Sequence, residues 1–293
     1  YPAPEKAFLH PAPIVADFFE LATPEIQTPA ISWGQARFGG WKLVEDRRLR
    51  AQKKLQKSFS PQTRLLARAD AVAGVPCMPR PCGGVDAAAA SATDAAEKLA
   101  ALQAEVETLF PGCESLSAAK NCVFGEGSAS AEVVFVGEAP GAEEDRFGRP
   151  FVGPAGRKLD EIIAAMGFRR EEVYICNILK ARPPGNRNPL PDEVAMSLPW
   201  LQRQLSIIQP QIIVALGGPA AKTLLNTETG ITRLRGRMSA WTDPETGRDV
   251  LVMPTFHPAY LLRKYTPEVR GQVWQDMKAV LAAMVESDTA RDR

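Results

Sequence analysis

Four short and almost wholly apolar runs recur along the later part of the chain, at Glu132 to Val136, Val173 to Ile178, Gln211 to Leu216 and Val250 to Thr255. Between them lie amphipathic segments, which predict helices from Ala155 to Met166, from Pro191 to about Ile208 with a bend at Pro199, from Pro219 to Leu225 and from Pro267 to Val285. Continuous runs such as Ile212-Ile213-Val214-Ala215-Leu216, separated by helices, are the form taken by parallel strands buried on both faces. The expected fold is therefore α/β, a three-layer α/β/α sandwich around a central, mainly parallel four-stranded sheet. In such a fold a ligand sits at the carboxyl ends of the strands.

A further helix is expected from Asp94 to Leu109. Asp94 is placed to cap it, Glu97 completes a capping box, and Leu99, Leu102, Val106 and Leu109 follow at spacings of three and four. Residues 1–92 show little sustained period and are rich in Pro, Ala and charge. They read as an extension, partly disordered or wrapping the main domain of residues 93–293. The basic run from Arg47 to Lys54 reads as a solvated helix face or, less favoured, a DNA-contacting arm.

With 293 residues the chain has room for one large domain plus an appendage. Its formal net charge of +1 neither requires nor excludes a nucleic-acid partner. Five cysteines without a secretion signal point to reduced thiols rather than a disulfide framework. No apolar run is long enough to span a membrane, so a cytoplasmic location without membrane association is expected.

Each strand runs straight into residues suited to chemistry. Gly137-Glu138-Ala139-Pro140-Gly141 follows the first, with Glu143-Glu144-Asp145 and Gly148-Arg149-Pro150-Phe151-Val152-Gly153 beyond. Asn177 ends the second, ahead of Lys180 to Arg187; Gly217-Gly218 follows the third; His257-Pro258-Ala259-Tyr260-Leu261-Leu262-Arg263 follows the fourth. Taken singly, each has a bland explanation. A glycine turn is usually a tight connection, a lone histidine before proline is more often structural, Asn177 could cap a turn, and Phe151 would more often be core. Their gathering at one end of one sheet shifts the balance toward a single site.

These segments, together with Arg182-Pro183-Pro184, Asn186-Arg187 and Pro189-Leu190-Pro191-Asp192-Glu193, resemble the family 4 uracil-DNA glycosylases over about 170 residues, with the motifs in order. The resemblance implies a monofunctional DNA-repair enzyme that flips deoxyuridine out of single- or double-stranded DNA and hydrolyses its N-glycosidic bond, acting as a monomer. It implies that Phe151 stacks on the base, that Asn177 pairs with uracil O4 and N3–H, and that His257 holds the departing uracil anion at O2. Ala139 and its turn assist through backbone N–H groups. Glu138 would offset charge on the deoxyribose or orient water. Glu144 is a second candidate, on the side meeting uracil C5, and the division of labour between the two is open. Leu261 is placed like the family's wedge into the base stack. Arg182, Arg187, Arg235, Arg263 and the helix start at Gly218 would contact phosphates. The rival reading is a non-catalytic module that binds uracil or abasic sites.

One departure stands out. Family 4 enzymes carry a 4Fe–4S cluster on four cysteines, but here Phe110, Ala181 and Ser197 stand at three of those positions and only Cys113 remains. No cofactor is therefore expected. The loops such a cluster would pin must be held by packing.

Overall fold

The computed structural model describes residues 86–291. The proposed extension, its basic run and Cys77 and Cys82 lie outside the described residues, apart from the segment 86–92. The elements in chain order are α1 (Asp86–Leu109), β1 (Glu126–Gly127), β2 (Val133–Gly137), α2 (Ala142–Phe147), α3 (Pro154–Ala165), β3 (Tyr174–Asn177), α4 (Pro191–Ile208), β4 (Ile212–Leu216), α5 (Gly218–Leu225), α6 (Ile231–Leu234), β5 (Ser239–Thr242), β6 (Asp249–Thr255), α7 (Pro258–Arg263) and α8 (Pro267–Arg291).

The sheet has six strands rather than the expected four, in the order β1-β3-β2-β4-β6-β5. The four apolar runs form its parallel centre, β3-β2-β4-β6, with Asn177 opposite Gly137 and Leu216 opposite Thr255. The two additional strands are antiparallel edges. One is two residues long, and the other, Ser-Ala-Trp-Thr, buries only Trp241, so neither carries the continuous apolar pattern of a central strand.

Alternation along each central strand sorts side chains into two cores. Val134, Val136, Tyr174, Cys176, Ile213 and Ala215 pack under α1, α4 and α5. Val133, Phe135, Ile175, Ile212, Val214 and Leu216 pack under α3 and α8. Each large apolar side chain among them contributes about 1.5–3 kcal/mol by leaving water, which explains why polar residues such as Asn177 and Thr255 fall only at the strand ends.

The first helix begins eight residues earlier than the capping box suggested. Ala87 to Ala90 are strong helix formers, so the helix runs through Asp94, whose carboxylate instead meets Lys98 one turn on, at 2.6 Å. Leu99, Leu102 and Val106 are buried as expected, whereas Leu109 is exposed. The last helix also extends past Val285, to Arg291.

Candidate active site

A cleft of about 800 Å³ opens at the carboxyl ends of the parallel strands. Glu138, Ala139, Glu144, Phe151, Asn177, Arg187, Gly218, His257 and Arg263 all line it, which brings together most of the residues singled out from the sequence. Arg182, Arg235 and Leu261 do not.

The floor is set by glycines. A Cβ on Gly137 would lie 2.2 Å from Asn177 Oδ1 and 2.6 Å from Phe151 Cζ, so only glycine lets the strand end approach both side chains. Phe151 itself has φ of 50°, the left-handed region in which non-glycine residues are strained by about 1–2 kcal/mol. Its ring is buried and its centroid is 5.7 Å from that of His257. Asn177 is 1% exposed, and among the described residues its Oδ1 accepts no hydrogen bond. A buried carboxamide oxygen left without a donor costs about 1–3 kcal/mol, which is recovered when a ligand N–H reaches it.

His257 caps α7. Its Nδ1 accepts a hydrogen bond from the Ala259 backbone N–H at 3.1 Å, and Pro258 takes the first helical position, where no N–H is needed. An acceptor at Nδ1 places the proton of the neutral ring on Nε2. Burial, reinforced by the nearby Arg263 charge, lowers the pKa of His257 to about 4, partly offset by Glu144. The imidazole is thus neutral near pH 7, with a fixed N–H donor at Nε2.

The structure separates the two carboxylates. Glu144 Oε1 accepts from Val152 N at 3.0 Å and Gly153 N at 2.9 Å, and Oε2 accepts from Gly141 N at 3.1 Å. Glu144 therefore stitches the Gly137–Gly141 turn to the loop carrying Phe151, while it also lines the cleft. Glu138 is half-buried and its carboxylate makes no hydrogen bond or ion pair among the described residues. Desolvation raises its pKa above the ordinary carboxylate range.

Two expectations are corrected. Leu261 is fully buried, facing α3 and α8 from α7, while the next residue, Leu262, is 44% exposed. A wedge must reach out of the surface, and successive helical positions lie about 100° apart, so the phase of α7 hands that exposure to Leu262. Arg235 is held by Asp276 at 2.6 Å and by the Gln272 carbonyl, so its guanidinium is committed inside the fold. Arg182 donates to Asn186 Oδ1 at 2.7 Å, and Arg187 forms a two-point pair with Glu193. Arg263 is exposed at the cleft's rim.

Several contributors escaped sequence reading. Glu193 is fully buried and collects Arg187, the Leu190 N–H and the Ser115 hydroxyl on one carboxylate. Thr255 Oγ1 donates to Asp276, 21 residues away, tying the end of β6 to α8. The Ser115 and Asp276 partners, 78 and 21 residues away in sequence, leave no local pattern.

At the four positions that correspond to cluster ligands, Phe110 and Cys113 pack partly buried against the core, and Ala181 and Ser197 are buried. The Cys113 sulfur lies 3.6 Å from the Ser115 hydroxyl. One thiol beside a phenyl ring, a methyl group and a hydroxyl does not fit an iron–sulfur cluster, which needs a set of thiolates or imidazoles.

A family model described as the uracil DNA glycosylase superfamily matches residues 124–278. A Type-4 uracil-DNA glycosylase of Thermotoga maritima is 46% identical over 159 residues, covering 54% of this chain and 80% of its own. One from Archaeoglobus fulgidus is 44% identical over 172 residues, covering 57% of this chain and 84% of its own. A Type-5 uracil-DNA glycosylase of Pyrobaculum aerophilum is 32% identical over 114 residues, covering 34% of this chain and 50% of its own. With its six-stranded α/β fold and the cleft at the strand ends, the chain belongs to the uracil-DNA glycosylase superfamily and is family 4-like within it.

Proposed function

We infer that this chain is a DNA-repair uracil-DNA glycosylase and that Phe151, Asn177, His257 and Glu138 carry the reaction. The observation that carries the residue assignment is the buried, unpaired Oδ1 of Asn177 beside the Phe151 ring and the His257 donor. Uracil offers an N3–H donor to that oxygen and an O4 acceptor to the amide NH₂. Cytosine offers the opposite at both places and would leave each group unpaired at about 1–3 kcal/mol. Gly137 lets Asn177 and the Phe151 ring come together at the strand end, where the base would lie.

With the base held, the C1′–N1 bond breaks and its electron pair passes to uracil. The resulting charge spreads onto O2, which accepts from His257 Nε2–H. A neutral donor preorganised there acts as an oxyanion hole. Glu138, anionic and without a partner, faces the positive charge growing on the deoxyribose. Water then adds to C1′ and gives its proton to Glu138, leaving an abasic site. Leu262, rather than Leu261, fills the gap left in the stack. Arg263 at the rim and the N–H groups opening α5 at Gly218 hold phosphates. The enzyme acts as a monomer on single- and double-stranded DNA. It works without an iron–sulfur cluster, because the ligand positions present a single thiol.

The test is incubation with single- and double-stranded uracil-containing oligonucleotides, followed by alkaline cleavage of abasic sites. Strand scission at the uracil position is expected, strongly reduced but still measurable in Asn177→Ala. Binding without scission at stoichiometric protein would leave only a recognition module. Iron content of the purified full chain tests the cofactor assignment, and stoichiometric iron with broad visible absorbance would refute it.

A further inference from the structure

Lys180 is 1% exposed, and among the described residues no carboxylate pairs with it. Burying an ammonium without a counter-ion is strongly unfavourable, and an apolar side chain of similar volume would fill the same space at no such cost. Packing alone does not account for it. Its Nζ donates to the Asn177 backbone carbonyl at 2.8 Å and to Gln204 Oε1 at 2.5 Å. Gln204 is itself fully buried on α4 and fixed from its other end, donating to the Phe124 carbonyl at 3.0 Å and to the Tyr174 hydroxyl at 3.1 Å. The ammonium thus anchors the end of β3 to a rigid helix.

The residues that follow Asn177 are tied on the other side. Ile178 N donates to the Gly137 carbonyl at 3.0 Å and Leu179 N to the Glu138 carbonyl at 3.1 Å. The peptide after Asn177 is thus held from both ends, its N–H by the Gly137 carbonyl and its own carbonyl by Lys180. Without the lysine bond only the N–H end stays fixed, and any tilt of this peptide shifts the Asn177 backbone that carries the carboxamide.

We propose that Lys180, held by Gln204, is a positioning residue for uracil recognition, fixing the Asn177 carboxamide in the orientation that accepts uracil N3–H. This rests on Asn177 being the group that reads the base. Lys180 touches neither substrate nor the reacting atoms and acts only through Asn177.

The test is a double-mutant cycle on the full chain, reading kcat/KM on a single-stranded uracil oligonucleotide, inhibition by free uracil, and Tm. Lys180→Met is expected to lower kcat/KM about tenfold or more and to weaken inhibition by uracil. In the Asn177→Ala background the same substitution is expected to cost little further, since both changes remove one interaction. Losses that multiply would mean a general structural role and would overturn the proposal, as would a folded Lys180→Met with unchanged kcat/KM. If Asn177→Ala alone leaves activity intact, the base-reading assignment fails first, which is a distinguishable result. Should Lys180→Met not fold, Gln204→Leu removes the anchor while keeping the ammonium and enters the same cycle with the same two outcomes.

Discussion

The protonation state of His257 is the strongest quantitative consequence of the site. With a pKa of about 4 against 6.5 for an unperturbed ring, roughly one molecule in a thousand carries an imidazolium at pH 7. The gap corresponds to about 3 kcal/mol of preference for the neutral form. Its sign fixes a stability trend. The unfolded ring takes its proton near 6.5 and the folded one only near 4, so the unfolded state binds more protons in between and stability falls as pH drops through that window. Exchanging the ring for a carboxamide that does not titrate (His257→Asn) removes this slope and should flatten stability against pH between those limits by up to about 3 kcal/mol. The same change deletes the donor at O2, for which removal of one oxyanion donor costs about 10²–10³ in kcat. Long-range ¹H–¹⁵N spectra report the tautomer directly. A neutral ring protonated at Nε2 is expected down to about pH 5, and the acid limb of kcat should belong to Glu138, surviving His257→Asn and moving in Glu138→Gln. An imidazole that titrates near 6.5, or a proton found on Nδ1, would refute the reasoning, since either requires that the Ala259 bond or the burial of the ring is wrong.

Three substitutions test the geometry around it. Gly137→Ala drives a methyl into Asn177 Oδ1 and the Phe151 ring at once, and should lower kcat/KM by about 100-fold with only about 1–3 kcal/mol lost in chemical denaturation. Glu144→Gln sets an amide NH₂ against one of the three backbone donors, so KM should rise and stability fall by about 1.5–3 kcal/mol, measured by steady-state kinetics and thermal melting. Leu262→Ala should weaken activity on duplex more than on single strands, whereas Leu261→Ala should cost about 2–5 kcal/mol of stability and affect both substrates alike; the reverse pattern would restore the wedge to Leu261.

The parallel centre of the sheet was legible because burial on both faces forbids polar residues, so Val133 to Val136 and Ile212 to Leu216 announce themselves without alignment or structure. The edges were not, because Ser239 to Thr242 needs only one buried residue and its partner strand supplies the rest. The start of α1 was misplaced by a real local signal, Asp94 with Glu97, overridden by the alanines before it. For the site, Glu138, Asn177 and His257 could be found because strand ends in a parallel sheet converge by topology. Leu261 and Arg235 were misjudged because exposure depends on the phase of a six-residue helix and on a partner 41 residues away, Asp276.

In the cluster-free enzyme proposed above, Glu193 takes over the fastening of a loop at the cleft. The segment from Pro183 to Asn188 borders the cleft, and a thiolate in the Lys180-Ala181-Arg182 stretch would have pinned it to iron. Here Ala181 merely packs, and the segment is held through Arg187, whose guanidinium grips Glu193 while the same carboxylate accepts from Leu190 N at 2.8 Å and Ser115 Oγ at 2.6 Å. The Arg187 bonds, with the Leu190 and Ser115 hydrogen bonds, bring the Glu193 pKa down to about 2 from 4.5. A depressed carboxylate contributes stability above its unfolded pKa and loses it as pH falls through the folded one. Here that is at most about 3 kcal/mol between about pH 4.5 and 2, because solvent reaches the Arg187 side of the pair and screens it. Two consequences separate this anchor from a metal one. Exhaustive chelation should leave activity and Tm unchanged, because nothing in the anchor is a metal ligand. Glu193→Gln should break the charge pair, raise hydrogen exchange across residues 183–190 and abolish that portion of the acid dependence. If chelation instead loosened this segment while Glu193→Gln left its exchange unchanged, the ion pair would be a bystander and the segment would be held by metal after all.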